Sequence, residues 1–509
     1  MTDAVPPGCH TSCMAHIHPG GTADGAETGV PDQVARGGAA ATDLVWAALG
    51  GDPALPERVT YGGPPGAAED LLAARLPVLP AARSAVAVCA LAAAELTARR
   101  TGRAVPDVRV DDGAVTTAFR SERHLRIDGR ASSAFAPLSR FWRTADGWVR
   151  THANYPHHRA RLLAALGLPG TADAADVAAE LAGRRAEEAE ETVYAAGGLA
   201  VAVRTPDQWA AHAQGAAVAA RPLLTLESIG AGAPPRRLTA LDGGPDPLLP
   251  AAGLRVLDLT RVIAGPVATR TLALLGADVL RLDAPRLPES PDAHADTGFG
   301  KRSATLDLGS RAGRAVLDDL LATADVVVTG YRPGALDRFG LAPEALAERR
   351  PGLVVARLSA WGGHGPWGGR RGFDSLVQAA TGIAVIEGDA YGTPGALPAQ
   401  ALDHGTGYLL AAAVLRALTE QSRTGGTRLA TLALARTATW LLDEVPGPDP
   451  APRPTATRPY DPARCLTDTP SPLGTLRHAL PPVAFEGGPR NWHRPPGRLG
   501  ADAPAWEER

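Results

Sequence analysis

Short apolar runs recur in a regular order through the middle and C-terminal parts of the chain. Runs such as LRVLDLT (254–260), DVLRLDA (278–284), DVVVTG (325–330) and LVVARLSA (353–360) predict buried β-strands. Longer amphipathic segments lie between them, for example residues 310–323, and predict helices. Strands that alternate with helices in this way predict an α/β fold with a doubly wound, Rossmann-like parallel sheet.

The N-terminal part of the chain shows a related but shorter pattern. Residues 84–100 predict an alanine-rich helix, and residues 106–110 predict a short strand after it. Residues 141–240 alternate short strands with helices, which predicts a smaller α/β unit. The Gly- and Pro-rich stretch 240–252 predicts a linker. Residues 1–40 have no periodicity, and we expect a disordered tail there.

Composition narrows the function classes. The chain has 509 residues, of which 45% are hydrophobic and 21% are charged, as in soluble globular proteins with two or three domains. A formal net charge of −3 gives no reason to expect a nucleic-acid partner. No uncharged apolar run reaches about 18 residues and no secretory signal is recognisable, so we expect no membrane partner. Four cysteines are too few for a disulfide framework, which favours a cytoplasmic location.

One cysteine–histidine motif lies in the predicted tail. The stretch CHTSCMAHIH contains Cys9, Cys13, His16 and His18. A metal site is conceivable, but no second ligand cluster follows at the spacing of a zinc site. We therefore predict no metal.

Two distant segments of the chain are near-copies of each other. Residues 74–102 and 397–425 both run from a Pro-containing loop into an alanine-rich helix and end on Arg-Thr-Gly. An offset of 323 residues superimposes the two endings and places Asp403 over Pro80. One copy therefore begins its helix with a carboxylate where the other has proline.

The loop after the first strand of the predicted sheet does not favour dinucleotide binding. It reads Ile263-Ala264-Gly265-Pro266 and has one glycine, whereas the dinucleotide fingerprint needs three. The loop can still present a helix N-terminus to a phosphate or a carbonyl group. We expect neither NAD nor FAD here.

The C-terminal half resembles the class III CoA-transferases, which include formyl-CoA, carnitine-CoA and bile-acid CoA transferases. The resemblance rests on motifs in the order of that family: the opening segment 254–283, KRSATLDL (301–308), ADVVVTGYRPGALDRFGL (324–341), LVVARLSAWGGHGP (353–366), RRGFDSLVQAATG (370–382) and ALDHGTGYLLAAAVLRAL (401–418). The resemblance implies a CoA-transferase that moves CoA from an acyl-CoA to a carboxylic acid, with coenzyme A as a substrate and no metal. Family members form interlocked homodimers, so a homodimer is possible.

The same resemblance explains the front half of the chain. Residues 93–119 are similar to the part that follows the family's catalytic helix, and residues 135–153 resemble the start of its small domain. The chain is thus predicted to be a rearranged copy and a half. The predicted parts are a tail (1–40), a partial degenerate large domain (41–130), a small α/β domain (131–240), a large domain with the catalytic Asp (250–445) and a Pro-rich C-terminal tail (446–509).

Asp403 matches the aspartate that is the nucleophile in the family. A carboxylate at a helix N-terminus is favoured by free N–H groups and by the helix dipole, so we expect it to be ionised at neutral pH. It can attack an acyl-CoA thioester. An Asp before a helix is otherwise most often only an N-cap. We expect Gly405 and Gly407 to allow close approach of the acyl and CoA groups and to leave N–H groups for an oxyanion.

Further residues follow from the resemblance. His404 is adjacent to Asp403 and is expected to be structural, because neighbours on a helix point apart. Asp374 matches an acidic position near the reacting centre of some transferases. The predicted CoA contacts are Ala264, Tyr331, Arg338, Phe339 and Arg371, of which the arginines suit phosphates and an aromatic ring suits adenine.

Several departures from the family bear on the substrate. Gly330 stands where the family commonly has Asn, Ile263 stands where formyl-type enzymes have Gln, and the glycine-rich loop of some members has no counterpart. A racemase or isomerase of acyl-CoA is an alternative, but Phe373 replaces the His that those enzymes place before Asp374. A non-catalytic CoA-binding scaffold is the third hypothesis.

Overall fold

The computed structural model describes residues 31–63, 71–132, 135–230, 232–241, 247–447 and 460–508, and only the backbone of residues 31–39. The Cys9–His18 motif and most of the predicted tail lie outside these residues. Residues 31–40 were predicted to belong to the disordered tail, but they form the beginning of a helix that continues to Ala48. That helix is ordered by packing, since Val45 and Trp46 in its second half are buried.

The N-terminal part is mainly helical. In chain order it contains α1 (Pro31–Ala48), β1 (Val59–Gly62), α2 (Val78–Thr101), β2 (Val108–Asp111), α3 (Asp112–Ala118) and α4 (Ser121–His124). Strands β1 and β2 pair in parallel and form a separate two-stranded sheet. This half therefore retains a central helix and a short sheet instead of a complete large domain.

A small unit follows, built on a three-stranded antiparallel sheet of β5, β6 and β7. Its own core includes Trp142, Leu162, Val177 and Val193. The elements of this region are β3 (Arg126–Ile127), β4 (Arg130–Ala131), β5 (Phe141–Arg143), β6 (Trp148–Thr151), α5 (Pro156–Ala165), α6 (Ala174–Ala182), α7 (Ala186–Ala195), β7 (Ala200–Ala202), α8 (Pro206–Ala211), α9 (Ala213–Ala219) and β8 (Leu224–Ile229).

The large sheet has seven strands in the order β11-β10-β9-β12-β13-β14-β8. Its elements are β9 (Arg255–Leu259), α10 (Ala264–Leu274), β10 (Asp278–Asp283), α11 (Pro291–Thr297), β11 (Lys301–Thr305), α12 (Arg311–Thr323), β12 (Val326–Thr329), α13 (Pro343–Arg349), β13 (Val354–Ser359), α14 (Asp374–Ala380), α15 (Ile383–Ile386), α16 (Ala401–Thr424), β14 (Thr427–Ala433) and α17 (Leu434–Thr439). Strands β9 to β14 are parallel, and their order is that of a doubly wound sheet. The predicted fold class is confirmed.

Strand β8 differs from the sequence prediction. It lies within the predicted small domain, residues 131–240, yet it pairs antiparallel with β14 at the edge of the large sheet. An alternating apolar pattern indicates a strand but does not determine which sheet the strand will join.

The central helices α2 and α16 pack against each other along their length. Each has 24 residues, is buried on most of its surface and ends at a glycine with positive φ, Gly102 or Gly425. Among the described residues, α2 is the one helix whose length and mean hydropathy of 1.5 would suit a membrane span, and 89% of that window is buried inside the protein. A helix that is apolar on all sides is expected in the core of a large protein.

The C-terminal region was predicted to be a Pro-rich extended tail, but its described part, residues 460–508, contains a hairpin. The hairpin consists of β15 (Leu466–Ser471) and β16 (Gly474–Ala479), and β16 also pairs with β3. Pro470 is tolerated because β15 is the edge strand, where a missing N–H donor leaves no partner strand unsatisfied.

Candidate active site

A cavity of about 970 Å³ opens at the carboxyl ends of the neighbouring strands β9 and β12. This is the position at which the strand order of a doubly wound sheet reverses, and ligands of such folds bind there. Its walls come from the loops after β9, β10 and β12, from residues 370–373, from the N-terminus of α16 and from α5 of the small unit.

All five predicted CoA-contact residues and Asp403 line this one cavity. The five residues are Ala264, Tyr331, Arg338, Phe339 and Arg371. The Arg338 guanidinium lies 4.7 Å from the centroid of the Phe339 ring. Burial acts first to lower the pKa of Arg371, and the charges of Arg332 and Arg161 lower it further, so three cations share one side of the cavity. The structure thus brings the predicted set together, and the roles of its members stay predictions.

The loop between β9 and α10 has a strained conformation. Val262 has a φ of 69°, which is unusual for a β-branched residue. Its N–H donates to Glu289 Oε2 at 2.9 Å, and Glu289 Oε1 accepts from the Tyr155 hydroxyl at 2.7 Å. The loop is therefore held between the large sheet and the small unit, and it delivers Ala264 to the first position of α10.

Asp403 lies in the first turn of α16 and is 6% exposed. Its backbone N–H donates to Asp374 Oδ2 at 2.9 Å, and the Gln378 amide holds the other oxygen of Asp374. Asp374 therefore caps the helix, whereas the Asp403 side chain faces the cavity.

Burial of Asp403 opposes the ionisation that the helix N-terminus was expected to favour. Burial raises the pKa of Asp403 well above its usual range, and the negative charges of Asp374 and Glu122 raise it further. Burial also raises the pKa of Asp374, to about 6, although its hydrogen bonds from Asp403 N–H and Gln378 oppose the shift. Because Asp374 accepts these hydrogen bonds, the negative charge is more favourable on Asp374 than on Asp403. The helix-dipole effect is too small to offset burial beside two like charges.

The predicted role of the two glycines is also wrong. Neither Gly405 nor Gly407 lines the cavity. His404 N–H already bonds to Gln400 O, so the following N–H groups lie within the helical hydrogen-bond pattern and not at its open end. A Cβ on Gly407 would lie 2.6 Å from Ala264 O, which shows that this glycine allows α10 to pack closely on α16.

His404 faces the N-terminal half and not the cavity. Its ring is fully buried, stacks on Phe119 at a centroid distance of 5.3 Å and places Nε2 3.3 Å from Glu122 Oε2. The predicted direction, away from Asp403, agrees with this position.

Sequence reasoning missed Glu122 and the residues just before and at the start of α5. Tyr155, His157 and His158 line the cavity, and His152 stacks on Phe373 at 3.6 Å. The polar-aromatic stretch before α5 was a usable signal for a site, but Glu122 has no motif around it. The two departures lie nearby, since Gly330 lines the cavity and Ile263 precedes α10. No cluster of three metal-ligating side chains occurs within the part of the chain that the structure describes.

Comparison with known proteins agrees with the resemblance to CoA-transferases that the sequence motifs indicate. The profile of CoA-transferase family III matches residues 40–234 and 251–463. The chain belongs to CoA-transferase family III. The gap between the two matched segments of this family III chain, residues 235–250, overlaps the linker predicted at residues 240–252.

Curated relatives of the family III chain carry transferase names. A probable fatty acyl-CoA transferase of Mycobacterium tuberculosis is 35% identical over 233 residues, which cover 41% of this chain and 59% of the relative. A formyl-CoA:oxalate CoA-transferase of Streptomyces coelicolor is 37% identical, with 34% and 45% covered. The succinyl-CoA–L-malate CoA-transferase beta subunit of Chloroflexus aurantiacus is 35% identical, with 39% and 52% covered.

The family III chain spans about half the length of the curated relatives that it matches. Among solved structures, a CaiB/BaiF family protein from Brucella suis is 28% identical and has a TM-score of 0.35, with 40% of this chain and 60% of that chain covered.

Proposed function

We propose that this protein transfers CoA from an acyl-CoA to a carboxylic acid, with Asp403 as the nucleophile. The observation that supports the proposal best is that Asp403 shares one cavity with all five predicted CoA-contact residues. The relatives' names pair an acyl-CoA donor with an acid such as oxalate or malate, which supports the same two substrate classes.

In the proposed reaction the Asp403 carboxylate attacks the thioester carbonyl of the donor and CoA leaves as a thiolate, which gives a mixed anhydride. The thiolate then attacks the Asp403 carbonyl, so that the donor acid leaves and an aspartyl-CoA thioester remains. The acceptor carboxylate attacks this thioester, which forms a second anhydride and frees the thiolate again. Attack of the thiolate on the acceptor carbonyl yields the new acyl-CoA and restores Asp403.

The protonation of the two carboxyls determines when the reaction can begin. Only ionised Asp403 can attack, and burial beside Asp374 and Glu122 raises the pKa of Asp403, which opposes its ionisation. We expect the rate of the first step to rise with pH until Asp403 is ionised. The cationic side of the cavity, which includes Arg371 and Arg332, offers partners for the phosphates of CoA.

A racemase fits the site less well. Racemisation needs two acid–base groups on opposite sides of the α-carbon. Phe373 occupies the position before Asp374, and its ring is covered by the stacked ring of His152. The arrangement offers Asp403 as a nucleophile but no second group at the expected position.

The test is covalent trapping. The protein is incubated with formyl-, acetyl- or succinyl-CoA, quenched with hydroxylamine and digested, and the peptide that contains Asp403 is weighed by mass spectrometry. We expect a hydroxamate at Asp403 in the wild type and none in Asp403→Asn. Asp389→Asn, which alters an exposed turn, is the matched control and should label normally.

Two outcomes would contradict the proposal. Exchange of the α-proton in deuterated water without a hydroxamate would indicate a racemase. Binding of CoA with neither reaction would indicate a scaffold.

A further inference from the structure

A carboxylate from the N-terminal half reaches the back of the first turn of α16. Glu122 belongs to α4, and its side chain is 23% exposed. Its Oε2 lies 3.3 Å from His404 Nε2, and the His404 side chain has no exposed surface. The two residues are 282 positions apart in sequence, so only the tertiary fold brings them together.

The His404 ring has one defined orientation. Phe119 stacks on it with an interplanar angle of 30°. Within the described residues, Nδ1 has no hydrogen-bond partner, so Nε2 must carry the proton that is donated to Glu122. Glu122 therefore holds the orientation of this imidazole.

Asp403 is the next residue on the same turn. Successive side chains of an α-helix are about 100° apart, so Asp403 faces the cavity while His404 faces the N-terminal half. The contacts of the His404 ring hold one side of this turn, and the Asp403 N–H is held by Asp374 on the other side. The first turn of α16 is thus fixed between Glu122 and Asp374.

The titratable and charged groups nearest this turn, within the part of the chain that the structure describes, come from three helices. Asp374 approaches from α14, Glu122 from α4, and His404 lies on α16 itself. The charged or titratable neighbours of Glu122 are Arg120, Arg123 and His124. Burial acts to raise the pKa of Glu122, but the hydrogen bond and charge of His404 and the charge of Arg123 bring it below its usual value. Glu122 is therefore ionised at neutral pH, and its charge increases the proton affinity of Asp403.

We propose that Glu122, a residue of the half that lacks a nucleophile, is a positioning residue of the Asp403 site and acts through the His404 imidazole. The proposal rests on the transferase function proposed above for its kinetic part. It means that the N-terminal half is more than a scaffold, because it completes the surroundings of the nucleophile. The Asp403 site then belongs to both halves of the chain.

Two substitutions separate the charge of Glu122 from its geometry. Glu122→Gln removes the charge and keeps the shape, whereas Glu122→Asp keeps the charge and withdraws the carboxylate from His404. Glu57→Gln, at an exposed residue of the same half, is the matched control. Thermal melting of each variant establishes that it is folded.

The first measurement needs no turnover. The infrared band of the protonated Asp403 carboxyl is obtained as the difference between each protein and its Asp403→Asn counterpart, and is followed over a pH titration. In Glu122→Gln the midpoint should move to lower pH, whereas Glu122→Asp and Glu57→Gln should keep the wild-type midpoint. An unchanged midpoint in folded Glu122→Gln would overturn the proposal.

The second measurement is the rate of hydroxamate formation at Asp403 over the same pH range. The acid limb should shift to lower pH in Glu122→Gln, and the plateau rate should fall by about tenfold to a hundredfold in Glu122→Asp because the nucleophile is displaced. A wild-type plateau in Glu122→Asp would overturn the positioning role.

If the wild type forms no hydroxamate, the transferase function fails, and the infrared titration still decides the coupling. If Glu122→Gln does not fold, a wild-type midpoint and plateau in folded His404→Gln would likewise overturn the proposal.

Discussion

The helices α2 and α16 have the same length and the same Arg-Thr-Gly ending, but they differ in a residue of their first turn. Position 403 of α16 carries a carboxyl that faces the cavity, and the equivalent position of α2 is Pro80. The equivalent positions Arg99 and Ser422 lie in direct contact, with the Arg99 Nε 2.8 Å from Ser422 Oγ. The two near-copies therefore pair with each other inside one chain.

Their surroundings differ in a way that explains this division of roles. Arg83 on α2 forms a buried ion pair with Asp112, at the start of the helix after β2. The equivalent residue on α16, Thr406, shares a hydrogen bond of 2.7 Å with Thr437, on the helix after β14. Both halves tie the central helix to the following short helix. The first turn of α16 lines the cavity of about 970 Å³, whereas the first turn of α2 lines one of only about 10 Å³. The two halves thus share a link between the central helix and the next short helix, although they differ in the residue at the start of the central helix.

The largest expected effect comes from removing the carboxylate at position 403, which α16 has and α2 lacks. Asp403→Asn removes the nucleophile and should lower CoA transfer by at least about 10⁴-fold, while the fold is kept. Chromatographic measurement of acyl-CoA products checks this. The reverse change, Pro80→Asp, should give no adduct at residue 80. An adduct there, or activity in Asp403→Asn, would contradict the assignment of the two halves.

The same substitution should change stability in a pH-dependent way. Burial raises the pKa of Asp403 in the folded protein, so its contribution to folding is present below the pKa of an unfolded Asp, about 4, and is lost as pH rises through the folded value. Asp403→Asn should therefore gain stability relative to the wild type as the pH rises. Denaturant midpoints measured at several pH values test the sign, and a constant difference would contradict the raised pKa.

The next effect concerns the buried ion pair of the N-terminal half, in which Arg83 on α2 contacts Asp112 on α3. Asp112→Asn removes the negative charge that faces Arg83 and should lower the free energy of unfolding by roughly 3–5 kcal/mol. The exposed pair Arg58–Asp107 provides the control, since Asp107→Asn should change it by less than about 1 kcal/mol. Equal losses of unfolding free energy in the two variants would show that the buried Arg83–Asp112 pair stabilises the protein no more than the exposed pair does.

A smaller effect distinguishes the two helix contacts. Gly407→Ser should cost about 1–3 kcal/mol and weaken CoA binding, because the new Cβ would press on Ala264 in the cavity wall. The equivalent residue of α2 is already Ser84, which bonds to Thr42, and Ser84→Gly should cost about 1 kcal/mol without affecting CoA. Unfolding midpoints and calorimetric titration with CoA give both quantities. Wild-type affinity in Gly407→Ser would contradict the close α10 contact.

The smallest effect is at the contact between the equivalent positions. Ser422→Ala removes one hydrogen bond to Arg99, which also donates to the Ser422 carbonyl oxygen at 3.0 Å. The loss in unfolding free energy should be about 1 kcal/mol, with no change in activity. A loss as large as that of Asp112→Asn would mean that the pairing of the two helices depends on this one contact.

The sequence by itself determined the doubly wound sheet, the alignment of Asp403 with Pro80 and part of the set of residues that line the cavity. The sheet follows from strand and helix periodicity, the alignment from the near-copy of two segments, and the cavity residues from the resemblance to the CoA-transferase motifs. Arg338, Phe339 and Arg371 were identified without coordinates because each lies in such a motif.

Only the tertiary structure decided the direction of the pKa shift of Asp403, the packing role of Gly407, the sheet that β8 joins and the position of Glu122 behind His404. Each depends on groups far apart in sequence that meet after folding. Burial and the number of nearby charges set a pKa, and neither quantity is written in the residues beside the group. That is why the proposed nucleophile could be located from the sequence, whereas its pKa shift and its neighbour Glu122 from the other half could not.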